Sequence, residues 1–408
     1  MIKELFLNKN FFLLLTGQFV SQLGDKFYLI ALAWWVLEKT GSPSIMGIII
    51  FCSIFPEIIT SFISGYFVDN YGKKRIIVFC DLIRGFLMLL GSALFFGNSL
   101  EISHIILIST AISISSSFFN PAVQSIYPLI LNNSKIKAGQ SLSQLAYGVT
   151  SVFGPVFGSI LLGFTGVGFI FLINGISYII SGLSEWFIYF EEKAEKSKQD
   201  FKSSFKDGLF FILKNREILI TVMLIGIVHF FIGSFQLILP IISRLFSQEN
   251  PIFLGITESS MGFGFIIGSI LSRFIKKEYF RTLINISMIL GIVFFVSGLI
   301  ITLKLMVIIL LPIFVILTGA SVSNASIFWN SFLHKKTPLN LSGRVFSISN
   351  MTGNFSLPVS IAVTGILIET TGSGMYLILM GIVLSLITII IKFFILKKGK
   401  SNLNGEIA

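Results

Sequence analysis

The sequence predicts an all-α membrane protein of twelve helices, arranged as two six-helix bundles with pseudo-two-fold symmetry. The first observation is composition: the mean hydropathy is +0.90, and only 12% of the 408 residues are charged. The second is pattern, because apolar runs of about 18 or more residues, the length of a transmembrane helix, recur along the chain. The third is an internal repeat between the two halves. A transmembrane barrel is excluded, since its strands would alternate in polarity.

The predicted spans follow one another through the whole chain. Each is long enough to cross a hydrocarbon core of about 30 Å at a rise of about 1.5 Å per residue. We place them at residues 10–37, 44–68, 76–97, 102–128, 138–164, 167–190, 217–245, 253–275, 281–302, 304–333, 342–368 and 373–396.

The longest polar stretch lies in the middle of the chain. Apolar residues from Phe201 to Ile212 recur there at helical spacing, which predicts an amphipathic helix along the inner leaflet. The predicted domains are therefore an N-terminal six-helix bundle (1–190), a cytoplasmic linker with the amphipathic helix (191–216), a C-terminal six-helix bundle (217–396) and a cytoplasmic tail (397–408).

Lysine and arginine gather in alternate loops, and only Lys39, Arg244 and Lys304 fall on the opposite side. By the positive-inside rule, this asymmetry predicts a multi-pass protein with both termini in the cytoplasm, in a bacterial-type inner membrane. The net charge of +11 follows from this topology. Because no basic face or aromatic–basic motif accompanies it, we expect no nucleic acid as a partner.

The two halves repeat several local patterns at nearly equal distances. Repeats of this kind are typical of two bundles related by a pseudo-two-fold axis along the membrane normal. The matching pairs include Asn120 and Asn324, Gly139 and Gly343, Pro155 and Pro358, and Gly166 and Gly372.

A turn rich in charge joins the second and third spans. We expect Gly65 to let a helix end approach a neighbour closely and Gly72 to permit a tight reversal. Asp69 is placed to accept hydrogen bonds from the free N–H groups at the start of another helix. The cations that hold the turn on the cytoplasmic side are Lys73, Lys74 and Arg75.

This turn resembles the G-x-x-x-D-R/K-x-G-R/K-K/R signature of the major facilitator superfamily, although Asn70 stands where a basic residue is usual. The stretch from Gly17 to Asp25 and the pair Asp81-x-x-Arg84 look like those of macrolide-efflux and enterobactin-exporter type facilitators. The resemblance implies a 12-helix major facilitator fold that exports a small, largely apolar compound, such as a drug, a macrolide-like or a siderophore-like molecule. It implies proton antiport by alternating access, with no cofactor besides the proton gradient, and we expect a monomer whose partners are substrate, protons and lipid bilayer.

Polar side chains fall on single helical faces of several spans, where they are costly unless they meet a partner or a watery cavity. In the superfamily that the chain resembles, spans 1, 4, 7 and 10 line the central cavity, with 2, 5, 8 and 11 beside them. Hydrogen bonding between helices without transport is the alternative. The expected substrate-cavity residues are Gln18, Gln22, Asn120, Gln124, Tyr147, Asn324, Asn350 and Asn354.

Asp25 is the first candidate for proton coupling, because it lies midway through the first span. It could carry a proton, or it could be a structural partner of Lys26 or Arg84, and the sequence leaves these alternatives open. Asp81 shares a helical face with Arg84 on the third span. Since an unpaired arginine inside the apolar region is costly, we expect these two residues to form an ion pair in the inner gate.

Glu57 and His229 are the other candidates for proton coupling. Glu57 follows Pro56, which can bend the helix, and a carboxylate at that depth could take up a proton. A lone histidine such as His229 is more often a hydrogen-bonded packing residue. Glu258 lies nearer the outer surface, where we expect it to be solvated.

The fifth span carries small residues whose spacing lets helices pack backbone to backbone, together with a proline that bends the span. Gly154, Pro155 and Gly158 resemble the antiporter motif G-x-x-x-G-P-x-x-G-G of proton-coupled exporters, with Ser159 in place of the last glycine. Packing alone is the alternative role.

The sequence offers no catalytic cluster and no metal site. Its three histidines are far apart in sequence, Cys52 and Cys80 lie inside apolar segments, and no phosphate-binding loop is present. We therefore expect no enzyme activity. The functions left open beside export are a lipid or lysolipid flippase of the same fold and a non-transporting scaffold or sensor.

Overall fold

The computed structural model describes residues 2–190, 201–247, 250–275 and 279–405. Within these ranges the chain is helical almost throughout, and no strand occurs. One 3₁₀ turn, Ser272–Phe274, follows the tenth helix. The α-helices are α1 (Ile2–Leu7), α2 (Lys9–Thr40), α3 (Pro43–Asn70), α4 (Lys73–Phe96), α5 (Ile102–Ile130), α6 (Asn133–Thr165), α7 (Val167–Trp186), α8 (Phe201–Lys214), α9 (Arg216–Phe246), α10 (Ile252–Leu271), α11 (Tyr279–Thr302), α12 (Val307–Lys336), α13 (Leu339–Thr371) and α14 (Ser373–Gly405).

Eleven helices in the described part of the chain are long and apolar enough to cross a membrane. Helix α2, with 32 residues, has the length but a lower hydropathy, because polar residues from Gln18 to Lys26 interrupt its apolar run. With α2 counted, the described residues form twelve helices that are long enough to cross a membrane. The all-α, twelve-helix fold predicted from the sequence is confirmed.

Side-chain hydrogen bonds set helix ends that hydropathy alone does not locate. Asn8 caps α2 by accepting a hydrogen bond of 3.1 Å from the backbone N–H of Phe11, which separates α2 from α1. Helix α7 ends at Trp186 and not at residue 190 as predicted. The backbone of Tyr189 instead exchanges two hydrogen bonds, of 3.1 and 2.6 Å, with the side chain of Asn10.

The internal repeat extends to the backbone conformation. Gly166 after α6 and Gly372 after α13 have φ angles of 80° and 77°, a region that glycine enters without steric cost. Asn98 between α4 and α5 and Lys304 between α11 and α12 have φ angles of 53° and 54°. Both pairs have the same separation in sequence, so corresponding corners of the two halves turn in the same way.

The chain divides into two compact units. Unit 1 comprises Met1–Gln199 and Ser243–Ser259, and unit 2 comprises Asp200–Ile242 and Ser260–Ala408. In unit 1, α2 packs on α6 and α7, α4 packs on α5 and α7, and α3 packs on α5. In unit 2, α11 packs on α12 and α14. The predicted domain limits stay predictions, and residues 191–200 of the predicted linker lie outside the described part.

Helix α8 is attached to α13 within unit 2. Arg344 Nη1 lies 2.8 Å from Asp207 Oδ2, and a Cβ built at Gly208 would lie 2.8 Å from the Cβ of Arg344. Ile212 is buried. A short, partly polar helix of this kind gains its stability from one packed face.

Candidate functional site

One group of polar residues in unit 1 joins acidic, basic and phenolic side chains from α2, α4 and α7. We call it the acid–arginine cluster. The predicted ion pair is present in it, because Arg84 Nη1 lies 3.1 Å from Asp81 Oδ1 and both side chains are buried. Its role in a gate stays a prediction. The members of the cluster are Asp25, Asp81, Arg84, Tyr178 and Glu185.

Aromatic rings replace water around the guanidinium of Arg84. Its Cζ atom lies 4.3 Å from the ring centroid of Phe119 and 5.6 Å from that of Tyr178. Such cation–π contacts stabilise a cation that has lost its hydration. The buried charge is therefore held by one carboxylate and two aromatic faces.

Tyr178 is the direct hydrogen-bond partner of Asp25, because its hydroxyl group donates to Asp25 Oδ1. Tyr178 is buried, whereas Asp25 is partly exposed. The two partners considered from the sequence lie differently: Arg84 contacts the ring of Tyr178, and Lys26 lies 5.2 Å from the ring centroid of Tyr147. Asp25, Tyr178 and Arg84 thus form a continuous chain from a partly exposed acid to a buried cation.

Close packing of α2 on α7 fixes this arrangement. A Cβ built at Gly24 would lie 3.2 Å from the Cβ of Ser177 and would clash with Oδ1 of Asn174. Two turns earlier on α2, a Cβ at Gly17 would lie 3.1 Å from Oγ of Ser181. Small residues on α2 therefore bring Asp25 within reach of α7.

Glu185 belongs to the cluster, although the sequence analysis did not single it out. It is fully buried, and neither carboxylate oxygen has a hydrogen-bond partner among the described residues. Oδ2 of Asp81 and two guanidinium nitrogens of Arg84 are unpartnered in the same sense. Glu185 could have been found from the sequence by the signal that selected Asp25, namely an acid inside an apolar span.

A second group, the α3–α5 polar seam, consists of Glu57, Thr60, Ser113, Ser117 and Asn120. The side-chain amide of Asn120 donates a hydrogen bond of 2.8 Å to Glu57 Oε1. The backbone N–H of Glu57 donates to Ser113 Oγ at 3.0 Å, and Thr60 Oγ1 donates to Ser117 Oγ at 2.7 Å. Glu57 is partly exposed and Asn120 is exposed, so this carboxylate is both held in place and accessible.

The other predicted cavity residues of unit 1 differ in exposure. Gln124 on α5 and Tyr147 on α6 are exposed, Gln22 is partly buried, and Gln18 is buried. Oε1 of Gln22 has no hydrogen-bond partner among the described residues. Exposed polar side chains on a span are able to meet a substrate or water directly, whereas Gln18 packs inside the unit.

Unit 2 has a similar division. Asn350 and Asn354 on α13 are exposed. Asn324 on α12 is buried, and its side-chain amide donates to the carbonyl of Ala320 at 2.9 Å. The repeat pair Asn120 and Asn324 therefore has one exposed and one buried member.

His229 has the geometry of a packing residue. Its Nδ1 atom lies 2.8 Å from the carbonyl oxygen of Ile225 one turn earlier. The imidazole lies against Trp329, with ring centroids 5.3 Å apart, and against Gly353. None of these three contacts is with a titratable group. The assignment of His229 to proton coupling stays a prediction.

The charged turn between α3 and α4 differs from expectation in two respects. A Cβ built at Gly65 meets no described atom within 4 Å, so the close approach predicted there is not found. Gly72 has φ −54° and ψ 121°, values that other residues also adopt, so this turn does not require glycine. The side chain of Asp69 lies outside the described residues. Three cations, Lys73, Lys74 and Arg75, begin α4.

The antiporter-like motif of α6 packs tightly on α2. A Cβ built at Gly154 would lie 2.7 Å from the Cβ of Lys26, and one at Gly158 would lie 3.0 Å from the Cα of Phe27. On another side, a Cβ at Gly255 would lie 2.6 Å from the carbonyl oxygen of Pro155. The motif therefore packs closely on two sides in unit 1, and its part in antiport stays a prediction.

The segment Ser243–Ser259 brings two further charges into unit 1. Arg244 lies 6.0 Å from the ring centroid of Trp34. Glu258 is partly buried and lies within the field of Lys26, so the solvated position expected from the sequence is not found. Among the described residues, no group of three or more His, Cys, Asp or Glu side chains could hold a metal ion.

Comparison with known proteins gives a consistent result. The sequence profile of the Major Facilitator Superfamily matches residues 14–361. The chain is 26% identical over 313 residues to the uncharacterized MFS-type transporter YkuC of Bacillus subtilis (strain 168), covering 73% of this chain and 71% of that protein. It is 21% identical over 394 residues to Macrolide efflux protein A of Streptococcus pyogenes, covering 93% and 94% of the two chains.

A solved structure with the same fold is that of a bacterial homologue of the iron transporter ferroportin in an inward-facing state. The TM-score is 0.75 at 12% sequence identity, and the match covers 93% of this chain and 97% of the other. At this level of identity the likeness shows the fold alone.

Proposed function

Because this chain belongs to the Major Facilitator Superfamily of membrane transporters, we propose that it exports a small, largely apolar compound by proton antiport through alternating access. The name of one relative, Macrolide efflux protein A, supports export and a compound of that kind. The distribution of lysine and arginine supports a bacterial-type inner membrane with both termini in the cytoplasm. The proton gradient is the proposed energy source, and no cofactor is needed.

The observation that carries the proton step is the chain of contacts from Asp25 through Tyr178 to Arg84. A proton reaches Asp25 from its partly exposed side. Protonation removes the negative charge that attracts the Tyr178 hydroxyl group and, through the ring, the Arg84 cation. A ligand shifts a conformational equilibrium only by its different affinity for the two states, and we assign this difference to a change in the exposure of Asp25 between the inward-open and outward-open states.

The charge of the acid–arginine cluster supports proton binding within unit 1. Three acids share the cluster with one arginine, and a buried unpaired carboxylate is costly. We therefore propose that a surplus acid of the cluster is a proton-binding site. We assign Asp25 as the exchanging group because it is the partly exposed acid of the three.

Glu57 is the second proposed proton carrier. Asn120 holds its carboxylate at 2.8 Å, and both residues are accessible. Neutral amides and a phenol on exposed faces, rather than charged groups, suit a substrate that carries little charge itself. The proposed substrate contacts are Asn120, Gln124, Tyr147, Asn350 and Asn354.

Transport in proteoliposomes tests the proposal. The protein is reconstituted with a pH-sensitive dye inside the vesicles, and accumulation of a radiolabelled macrolide is followed with and without an imposed pH gradient. We expect gradient-driven accumulation, proton flux that depends on the macrolide, and loss of both in Asp25→Asn or Glu57→Gln. Glu38→Gln is the matched control, because Glu38 is an exposed acid on the same helix as Asp25.

Two outcomes would contradict the proposal. Macrolide flux that is the same with and without the gradient in the wild type would exclude antiport. Flux that keeps its gradient dependence in both acid variants would exclude these two carriers. A lysophospholipid that crosses the vesicle membrane where macrolides do not would favour the flippase of the same fold.

A further inference from the structure

A large apolar groove opens on unit 1 beside the turn between α3 and α4. Its volume is about 1020 Å³, at the upper end of the range of about 300–1,000 Å³ that is usual for ligand pockets. Side chains of α3, α4 and α5 form its walls. The apolar lining includes Phe67, Val78, Phe79, Leu82, Ile114 and Phe118.

The charges of the groove lie at one end. Lys74 and Arg75 line it at the first turn of α4, next to Tyr71 and Gly72. Ile83 lines it eight residues further along α4, which corresponds to about 12 Å of helix. The groove is therefore an elongated space with a cationic end and apolar walls, a distribution that suits an amphiphile with an anionic head.

The walls offer little to a polar ligand. Ser115 is the hydroxyl-bearing residue of the apolar part, and its Oγ donates to the carbonyl of Cys80 at 3.3 Å. Trp186 stands at the rim and is 62% exposed. Tryptophan is enriched at the level of lipid headgroups, so the rim chemistry agrees with a position where the headgroup region meets the hydrocarbon.

We propose that this groove binds one anionic phospholipid, whose headgroup phosphate is held by Lys74 and Arg75 and whose acyl chains lie along α4 and α5. Charge complementarity favours this occupant. Each basic group at the end of a transmembrane helix raises the affinity for an anionic lipid about fivefold. Phe79 and Leu82, which are 65% and 40% exposed, are covered by the acyl chains.

Trp186 provides a built-in reporter for the experiment. The full-length protein is reconstituted into vesicles that contain either brominated phosphatidylglycerol or brominated phosphatidylcholine at the same mole fraction. Bromine quenches tryptophan fluorescence on contact, and the part of the quenching that is lost in Trp186→Phe reports the groove. We expect the anionic lipid to quench Trp186 at a mole fraction that is at least about tenfold lower than the mole fraction needed for the zwitterionic lipid.

Three variants identify the binding groups. Lys74→Gln with Arg75→Gln should remove the preference, whereas Lys135→Gln with Lys137→Gln, a basic pair that begins α6 in the same unit, should keep it. Ala111→Phe places a ring in the apolar part of the groove and should reduce quenching by the anionic lipid although both cations remain. Thermal unfolding and gel filtration check that each variant is folded.

Equal quenching of Trp186 by the two lipids would overturn the proposal. So would a preference that survives the removal of both cations. A preference that is lost with the cations but unchanged in Ala111→Phe would also overturn it, because the lipid would then be attracted to the surface and would not occupy the groove. Displacement of the lipid by an uncharged apolar compound at equal concentration would assign the groove to a different ligand.

Discussion

The side-chain amide of Asn120 lies 2.8 Å from Oε1 of Glu57 and joins α5 to α3. The amide donates to the carboxylate, and the same carboxylate is partly exposed. A neutral donor holds an acid in place without a permanent counter-charge, so the acid is able to exchange its proton without breaking an ion pair.

Asn120→Asp should destabilise the protein more at pH 8 than at pH 5. At the higher pH two ionised carboxylates would repel each other at this short distance, whereas at the lower pH one bound proton can be shared between them. Thermal unfolding in detergent at the two pH values measures the difference. Asn120→Ala is the control, because it loses one hydrogen bond of about 1 kcal/mol at both pH values equally. If Asn120→Asp lowered the unfolding temperature by the same amount at pH 5 and pH 8, the two carboxylates would not share a proton.

Arg84→Gln should cost about 3–5 kcal/mol of stability, because it leaves buried carboxylates of the acid–arginine cluster without their cation. Arg344→Gln is a matched control, since it breaks an Arg–Asp pair of 2.8 Å whose side chains are 36% and 61% exposed. An exposed pair contributes about 0–1 kcal/mol. Denaturant unfolding compares the two variants, and equal losses would show that burial does not decide the strength of these pairs.

Glu185→Gln should reduce the pH dependence of stability. We expect the free energy of unfolding of the wild type to fall as the pH rises from about 5 to 8, because ionising a surplus acid among three acids and one arginine leaves a buried charge without a counter-charge. Glutamine has no proton to hold, and the slope becomes smaller. Unfolding temperatures across this range check the prediction. Glu38→Gln serves as the exposed control on α2, and a slope in Glu185→Gln equal to that of the wild type would refute it.

Gly158→Ala should destabilise the protein and Gly148→Ala should not, although both residues lie in α6. The new methyl group at Gly158 would lie 3.0 Å from the Cα of Phe27, where backbone must move, and overpacking of this kind costs about 1–3 kcal/mol. At Gly148 no described atom lies within 4 Å, so alanine is neutral or stabilising by up to about 1 kcal/mol. Thermal unfolding of the two variants side by side tests whether α6 requires glycine for packing on α2.

Most span limits could be predicted from the sequence to within about five residues, because the bilayer imposes a length and an apolar composition that act locally. Helix α14 is the exception, since it continues to Gly405 and the predicted span ends at residue 396. The end of α7 could not be placed more closely, because it depends on hydrogen bonds between Tyr189 and Asn10, 179 residues apart in sequence. Hydropathy does not contain such pairings. They depend on which helix faces meet.

The candidate site divides in the same way. Asp25, Glu57 and the pair of Asp81 with Arg84 could be found as charges inside apolar spans, since such residues are costly wherever the helices pack. The partners could not be found: Tyr178 bonds to Asp25 from another helix, and Asn120 bonds to Glu57. Gly65 illustrates the opposite error, because its motif suggested a close contact and its surroundings are open among the described residues.

Unit 1 includes Ser243–Ser259, a segment that follows the first part of unit 2 in the chain. In this segment, Gly255 packs closely against Pro155 and Ser159 of α6. A chain cut in the linker would therefore yield a first fragment with an uncovered surface at these two residues. Only the second fragment carries the piece that fits there. Each half should consequently be less stable in detergent when it is produced alone, and the two halves should complement each other when they are produced together.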